Sequence, residues 1–266
     1  MPTPRLLRLL ALVCAGGFAL TYAVSLHTAW GLHADATLHQ RVSGTPSLTT
    51  AGERALATID AGSVAAVALV LAFLALARGR VARAGAAVFV VAASVGTAEL
   101  LKHGLPRVAG ALPPGRPPTF PSGHTSIAAS LGLALVIAVP PLLRPVAALL
   151  GAAYAAGIAV SVVVLGWHFP SDAAGSIFIC GFWAAVASAA LRDVPGRPKV
   201  SVAGIVLALG AVAAGLVLAV ALAGRHPAAV EVVRSSRALL ATAAVFGVLG
   251  VALFTVFTPL VEERAP

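Results

Sequence analysis

The sequence predicts an all-α fold, a polytopic transmembrane helix bundle of about eight spans, on three observations. Of its 266 residues 59% are hydrophobic and only 10% charged, against the roughly 25% charged residues with which a soluble domain covers its surface. The apolar residues come in long runs: residues 200–223 carry no charge at all, a stretch longer than the ~20 residues that cross a bilayer as helix. The positive residues lie in the short polar segments between runs, where they read as topology signals and phosphate ligands. The net charge of +9 is therefore not read as a nucleic-acid surface, because the positive residues lie between spans rather than on one soluble face. The two cysteines, Cys14 and Cys180, each sit inside an apolar run and are expected to be buried, unpaired thiols.

Arg5 and Arg8 open the first span, near residues 6–26. It is longer than the apolar stretch of a cleaved signal, and Val13 before Cys14 is not the small residue that a lipoprotein signal requires, so an uncleaved span is expected. A long polar stretch follows, from His27 to about Ala57. Its His27, His33 and His39 lack metal-like spacing and are expected at the membrane interface, where Trp30 and Trp167 fit an aromatic belt. Thr50-Ala-Gly-Glu53 has the pattern of a capping box and is expected to start a helix running into span two, near 58–77. Further spans are expected near 84–101, 123–140, 146–165, 172–191, 200–223 and 238–258. Pro113-Pro-Gly-Arg-Pro-Pro118 cannot continue a helix and reads as a stiff loop.

Arg5, Arg8, Arg78, Arg80, Arg83, Arg144, Arg192, Arg197 and Lys199 fall on one side of this arrangement. The positive-inside rule makes that side, with both termini, cytoplasmic. The other side also holds cations, and three of them, Lys102, Arg107 and Arg116, crowd into one loop. Two more polar segments fall on the same extracytoplasmic face. Pro121-Ser-Gly-His124 opens span four; there Ser122 is a candidate N-cap, Gly123 permits close backbone approach, and the free amides attract anions. His124 is placed to give or take a proton beside such an anion. His168 precedes span six, and Asp172, four residues on, can hold one ring nitrogen and leave the other as an attacking lone pair. Lys102, at a helix C-terminus, and Arg107 are suited to phosphate oxygens. Glu99, one turn before Lys102, is expected to pair with it. Taken singly, each segment also reads as a capped or snorkelling helix end; their conjunction on one face does not.

With these residues the chain resembles the type 2 phosphatidic acid phosphatase superfamily. That signature has a Lys…Arg-Pro segment, then Pro-Ser-Gly-His, then Ser-Arg-x5-His-x3-Asp. Here the segments read Lys102…Arg107-Val108, Pro121-Ser-Gly-His124 and Ser161-Val162-x5-His168-x3-Asp172. The resemblance covers spans three to six and implies a six-span phosphatase core over 1–195, with two additional C-terminal helices over 196–266. It implies that His168 attacks phosphorus, that Asp172 orients it, and that His124 protonates the leaving oxygen. Lys102, Arg107, Ser122 and the Gly123 amide would bind the phosphate, and the partner would be a lipid phosphate in the membrane rather than a nucleic acid. No cofactor and no metal are expected. Two departures stand out: Val108 replaces the proline, and Val162 replaces an arginine. Arg116 is the candidate substitute for that missing cation. The alternative reading is an anionic-lipid binder or transporter that keeps the pocket without turnover.

Overall fold

The computed structural model describes residues 3–44, 46–105, 119–191, 242–250 and 253–254. Every regular element among them is helical: α1 (Thr3–His27), α2 (Ala29–Val42), α3 (Pro46–Ala57), α4 (Ala61–Leu76), α5 (Val81–Gly104), α6 (Gly123–Ala138), α7 (Arg144–Val164) and α8 (Pro170–Ala190), with one 3-10 turn over Pro141–Leu143. Residues 242–250 are helical as well. Among the described residues four helical stretches are long and apolar enough to cross a membrane: Arg5–His27, Val81–Gly104, Pro141–Val164 and Pro170–Ala190. Leu48–Ala57 and Ala61–Leu76 together make a fifth, broken by a 64° bend. The expected span at 200–223 lies outside the described residues, as does much of that at 238–258.

The bend corrects the expected capping box. Thr50 and Glu53 lie inside α3, which already begins at Pro46. Proline suits a helix start, because its fixed φ is helical and its missing N–H is no loss there. The box forms ten residues later instead. Asp60 accepts from the amides of Gly62 (2.7 Å) and Ser63 (3.0 Å), and Ser63 Oγ accepts from the Asp60 amide at 3.0 Å. A carboxylate that serves two orphan amides and is itself capped in return starts a new helix, so α3 and α4 are separate.

α6 is the axis of the bundle, packed against α4, α5, α7 and α8. Thirteen of its sixteen residues are buried, as a helix apolar on every side requires. Its closest neighbour is α7, where a Cβ on Gly132 would lie 2.8 Å from the Gly151 Cα. Gly151, Ala155 and Ala159, spaced four apart and all buried, form the small-residue face that lets the two backbones approach. α1 packs along α8, with Gly17 under the Phe178 ring and Gly181 against the Cys14 sulfur. Cys14 and Cys180 are both free and buried. Large apolar side chains point outward instead, among them Leu12 and Leu20 of α1, Leu69 and Phe73 of α4, and Leu150 of α7; this is the surface that lipid covers.

The two ends of α6 differ in chemistry. At its C-terminus Arg78 donates to the Ala138 carbonyl (3.0 Å) and Arg83 to the Ile137 carbonyl (3.4 Å), cations set against the negative end of the helix dipole. Arg144 is buried at the start of α7. The N-terminus of α6 lies at the opposite end, where the three polar segments gather.

Candidate active site

The start of α6 follows from Ser122, whose hydroxyl accepts from the Thr125 amide (3.3 Å) and the Thr125 hydroxyl (3.1 Å). Ser122 is the N-cap that the sequence implies. Its amide donates to the Asp172 carbonyl at 3.1 Å. Ser176 Oγ donates to both the Ser122 carbonyl (2.7 Å) and the Asp172 carbonyl (2.9 Å). The second and third segments are thus tied together through buried main-chain groups, where a polar atom without a partner is costly.

The third segment owes its shape to the end of α7. Gly166 adopts a φ of 71°, a left-handed conformation that glycine enters without a Cβ penalty. Gly166 N bonds Val163 O (2.9 Å) and Trp167 N bonds Val162 O (3.0 Å), while His168 N reaches the same carbonyl at 3.1 Å. This is a Schellman termination, and it leaves His168 pinned just beyond the helix. Phe169 then caps α8, with Pro170 at its first position. Asp172, in the first turn, accepts from the Phe169 amide (3.0 Å) and faces His168 Nδ1 at 3.1 Å through the same oxygen. Facing a carboxylate, Nδ1 carries the proton and donates it, so the Nε2 lone pair is left free. Asp172 is fully buried and His168 nearly so. The pair forms as the four-residue spacing implies, though His168 stands outside the helix rather than within one of its turns.

The first segment arrives from α5. Lys102 Nζ donates to Glu99 Oε1 at 2.7 Å, the expected pair. Both side chains rest against Gly123: a Cβ there would lie 2.7 Å from Glu99 Oε1 and 3.5 Å from Lys102 Nζ. The ammonium therefore reaches the N-terminus of α6, where the first-turn amides and the helix dipole also favour an anion. His124 is close enough to His168 and Lys102 to interact with their charges, and its ring lies 5.7 Å from that of Trp167. Lys102, Ser122, Gly123, His124, His168 and Asp172 thus meet at one end of the bundle. Arg107 and Arg116 lie outside the described residues. Among the described residues no three His, Cys, Asp or Glu side chains are grouped to hold a metal ion.

Residues 87–194 match the model of the PAP2 superfamily. That stretch is similar to the PAP2 superfamily. No curated protein and no solved structure matches it. Members of the PAP2 superfamily are generally phosphatases, and the matched stretch contains every described candidate residue. Within the matched stretch Val162, at the position of the signature arginine, is wholly buried, and its carbonyl holds the Trp167 and His168 amides. The chain therefore uses this position as a packing and main-chain anchor.

Three residues that touch the site were not legible as such. Trp167, expected only in an aromatic belt, is half exposed and also flanks His124. His39, expected merely at the interface, lies 3.1 Å through Nδ1 from the His168 carbonyl. Asp35 accepts from the amide of Ser171. Asp35 and His39 belong to α2, outside the PAP2 match.

Proposed function

We propose that this membrane protein hydrolyses a lipid-linked phosphate monoester or diphosphate, on a polyprenyl or phospholipid carrier, at the extracytoplasmic face and through a phosphohistidine. The observation that carries the reading is the buried His168–Asp172 pair set beside the anion-attracting start of α6 and Lys102. His168 Nε2 attacks phosphorus and the bond to the lipid oxygen breaks; the His124 imidazolium gives its proton to that oxygen. In the second half His124 takes a proton from water, the water oxygen attacks phosphorus, and the P–N bond breaks to release phosphate. Asp172 stabilises the positive imidazole as the bond forms. Lys102, the Gly123 amide, the Ser122 hydroxyl, and Arg107 or Arg116 neutralise the charge on the equatorial oxygens, the main contribution in phosphoryl transfer. The outward face is supported by the opposite end of α6, where Arg78, Arg83 and Arg144 gather, since cationic ends stay cytoplasmic.

The test is phosphate release by the purified full chain from a panel of lipid phosphates and diphosphates, beside His168→Ala. Turnover by the native chain and none by His168→Ala is the expected result. Saturable lipid binding without turnover by the native chain would instead establish the anionic-lipid binder, the reading that the buried Val162 favours.

A further inference from the structure

Two helices present their N-termini at the site, α6 and α8, and both have orphan amides able to hold an anion. Only α6 has Lys102 beside it. The start of α8 is occupied from within the protein: Asp172 takes the Phe169 amide, and Asp35 takes the Ser171 amide at 3.0 Å and the Ser171 hydroxyl at 2.5 Å. Two carboxylates thus satisfy the positive end of α8, whereas the start of α6 has the Lys102 ammonium against it together with the Glu99 carboxylate. Asp35 is one turn from His39 on the same face of α2. His39 Nδ1 lies 3.1 Å from the His168 carbonyl, a distance at which the ring nitrogen donates, and the His39 ring stacks on Phe169 with centroids 4.5 Å apart. From one face of α2, residues 168, 169 and 171 are therefore each gripped.

We propose that Asp35 and His39 are positioning residues for phosphoryl transfer, clamping the loop that carries His168 and Asp172 so that the His168 lone pair faces a phosphate seated at the start of α6. This rests on His168 as the nucleophile. The loop's own bonds run to the Val162 carbonyl and the Asp172 carboxylate, and α2 adds its grip from another element. A displacement of about 1 Å in a nucleophile costs on the order of a hundredfold in rate, so the α2 side of the loop sets kcat rather than affinity.

The experiment uses the full chain in detergent or vesicles and separates the bond from the ring. His39→Phe keeps the stack on Phe169 and removes the donor; His39→Asn restores a donor near the Nδ1 position without the ring. Asp35→Ala removes both acceptors and Asp35→Asn keeps one. For each variant kcat and KM are measured on a lipid phosphate, with competitive inhibition by vanadate as the probe of the phosphate site and thermal unfolding as the check on folding. The expected result is a ten- to hundredfold fall in kcat for His39→Phe and Asp35→Ala, with KM and vanadate inhibition within about twofold of native. His39→Asn and Asp35→Asn should recover most of the loss. Unchanged kcat in His39→Phe overturns the clamp, as does vanadate inhibition weakened in step with kcat, which makes α2 part of the phosphate pocket. Recovery by neither conservative variant, or a loss no larger than the fraction unfolded, overturns it too. Should Asp35→Ala not fold, the His39 pair decides alone. Turnover by His168→Ala defeats the nucleophile assignment itself, and that result is read independently of α2.

Discussion

Asp172 serves two donors with one oxygen, the Phe169 amide and His168 Nδ1, so it shapes the start of α8 and selects the His168 tautomer together. Asp172→Asn keeps the size and removes the charge that favours a positive imidazole. The expected loss in kcat is on the order of 10²–10⁴-fold with lipid affinity retained, read from steady-state kinetics. The two histidines separate in a different assay. His168→Ala should form no acid-labile phosphoenzyme, whereas His124→Ala should form some and stall, visible by rapid quench with labelled substrate. The cations should each matter less: loss of a charge-assisted bond worth about 1.5–3 kcal/mol predicts a ten- to hundredfold fall in kcat/KM. If Arg116 stands in for the arginine absent at Val162, Arg116→Ala should be as harmful as Arg107→Ala; a neutral Arg116→Ala makes it an ordinary loop charge. His124, His168, Asp172, Lys102, Ser122 and Gly123 were legible because short segments keep side chains of complementary chemistry at fixed spacing. Asp35 and His39 were not. Their partners lie 136 and 129 residues away, and His39 bonds a main-chain carbonyl, whose direction leaves no mark on residue type.

At the level of elements, helix ends do the positioning. The Schellman turn after α7 depends on Gly166 at positive φ, and any L side chain there costs roughly 1–2 kcal/mol. Because the turn hands the chain to His168, Gly166→Ala should lower kcat as well as the unfolding midpoint; a variant destabilised but fully active would free the nucleophile from the turn. The α6–α7 crossing makes a purely structural prediction. A Cβ on Gly151 would meet the Phe254 ring at 2.6 Å and the Gly132 Cα at 2.9 Å. Backbone cannot give way as a side-chain tip can, so Gly151→Ala should cost about 1–3 kcal/mol of stability, measured by thermal unfolding in detergent. The helices themselves could be read from apolar run length, and α5, α6, α7 and α8 fall within a few residues of their expected spans. The break between α3 and α4 could not. Thr50-Ala-Gly-Glu53 and Asp60-Ala-Gly-Ser63 both resemble helix starts in sequence, and Pro46 decides against the first by beginning α3 early.

For the molecule as a whole, orientation and chemistry are both open to direct test. His103 is exposed at the site end and Arg80 at the opposite end. A membrane-impermeant thiol reagent added to intact cells should label His103→Cys and spare Arg80→Cys; the reverse places the site in the cytoplasm. If a side chain rather than metal-bound water attacks phosphorus, as proposed, activity should survive EDTA, and loss on chelation with recovery on adding a divalent ion would refute that chemistry. The enclosure of α6 by α4, α5, α7 and α8 has a consequence for the molecule's slowest motions. Its amides can open to solvent only when several neighbouring helices part together, and such openings approach the global unfolding free energy. In deuterium exchange the interior of α6 should therefore be the last segment to take up label, with α2 exchanging far sooner. The helix that begins at Gly123 and His124 is then the most persistent part of the protein, while the α2 face that bonds the residues around His168 belongs to one of its more readily opened parts.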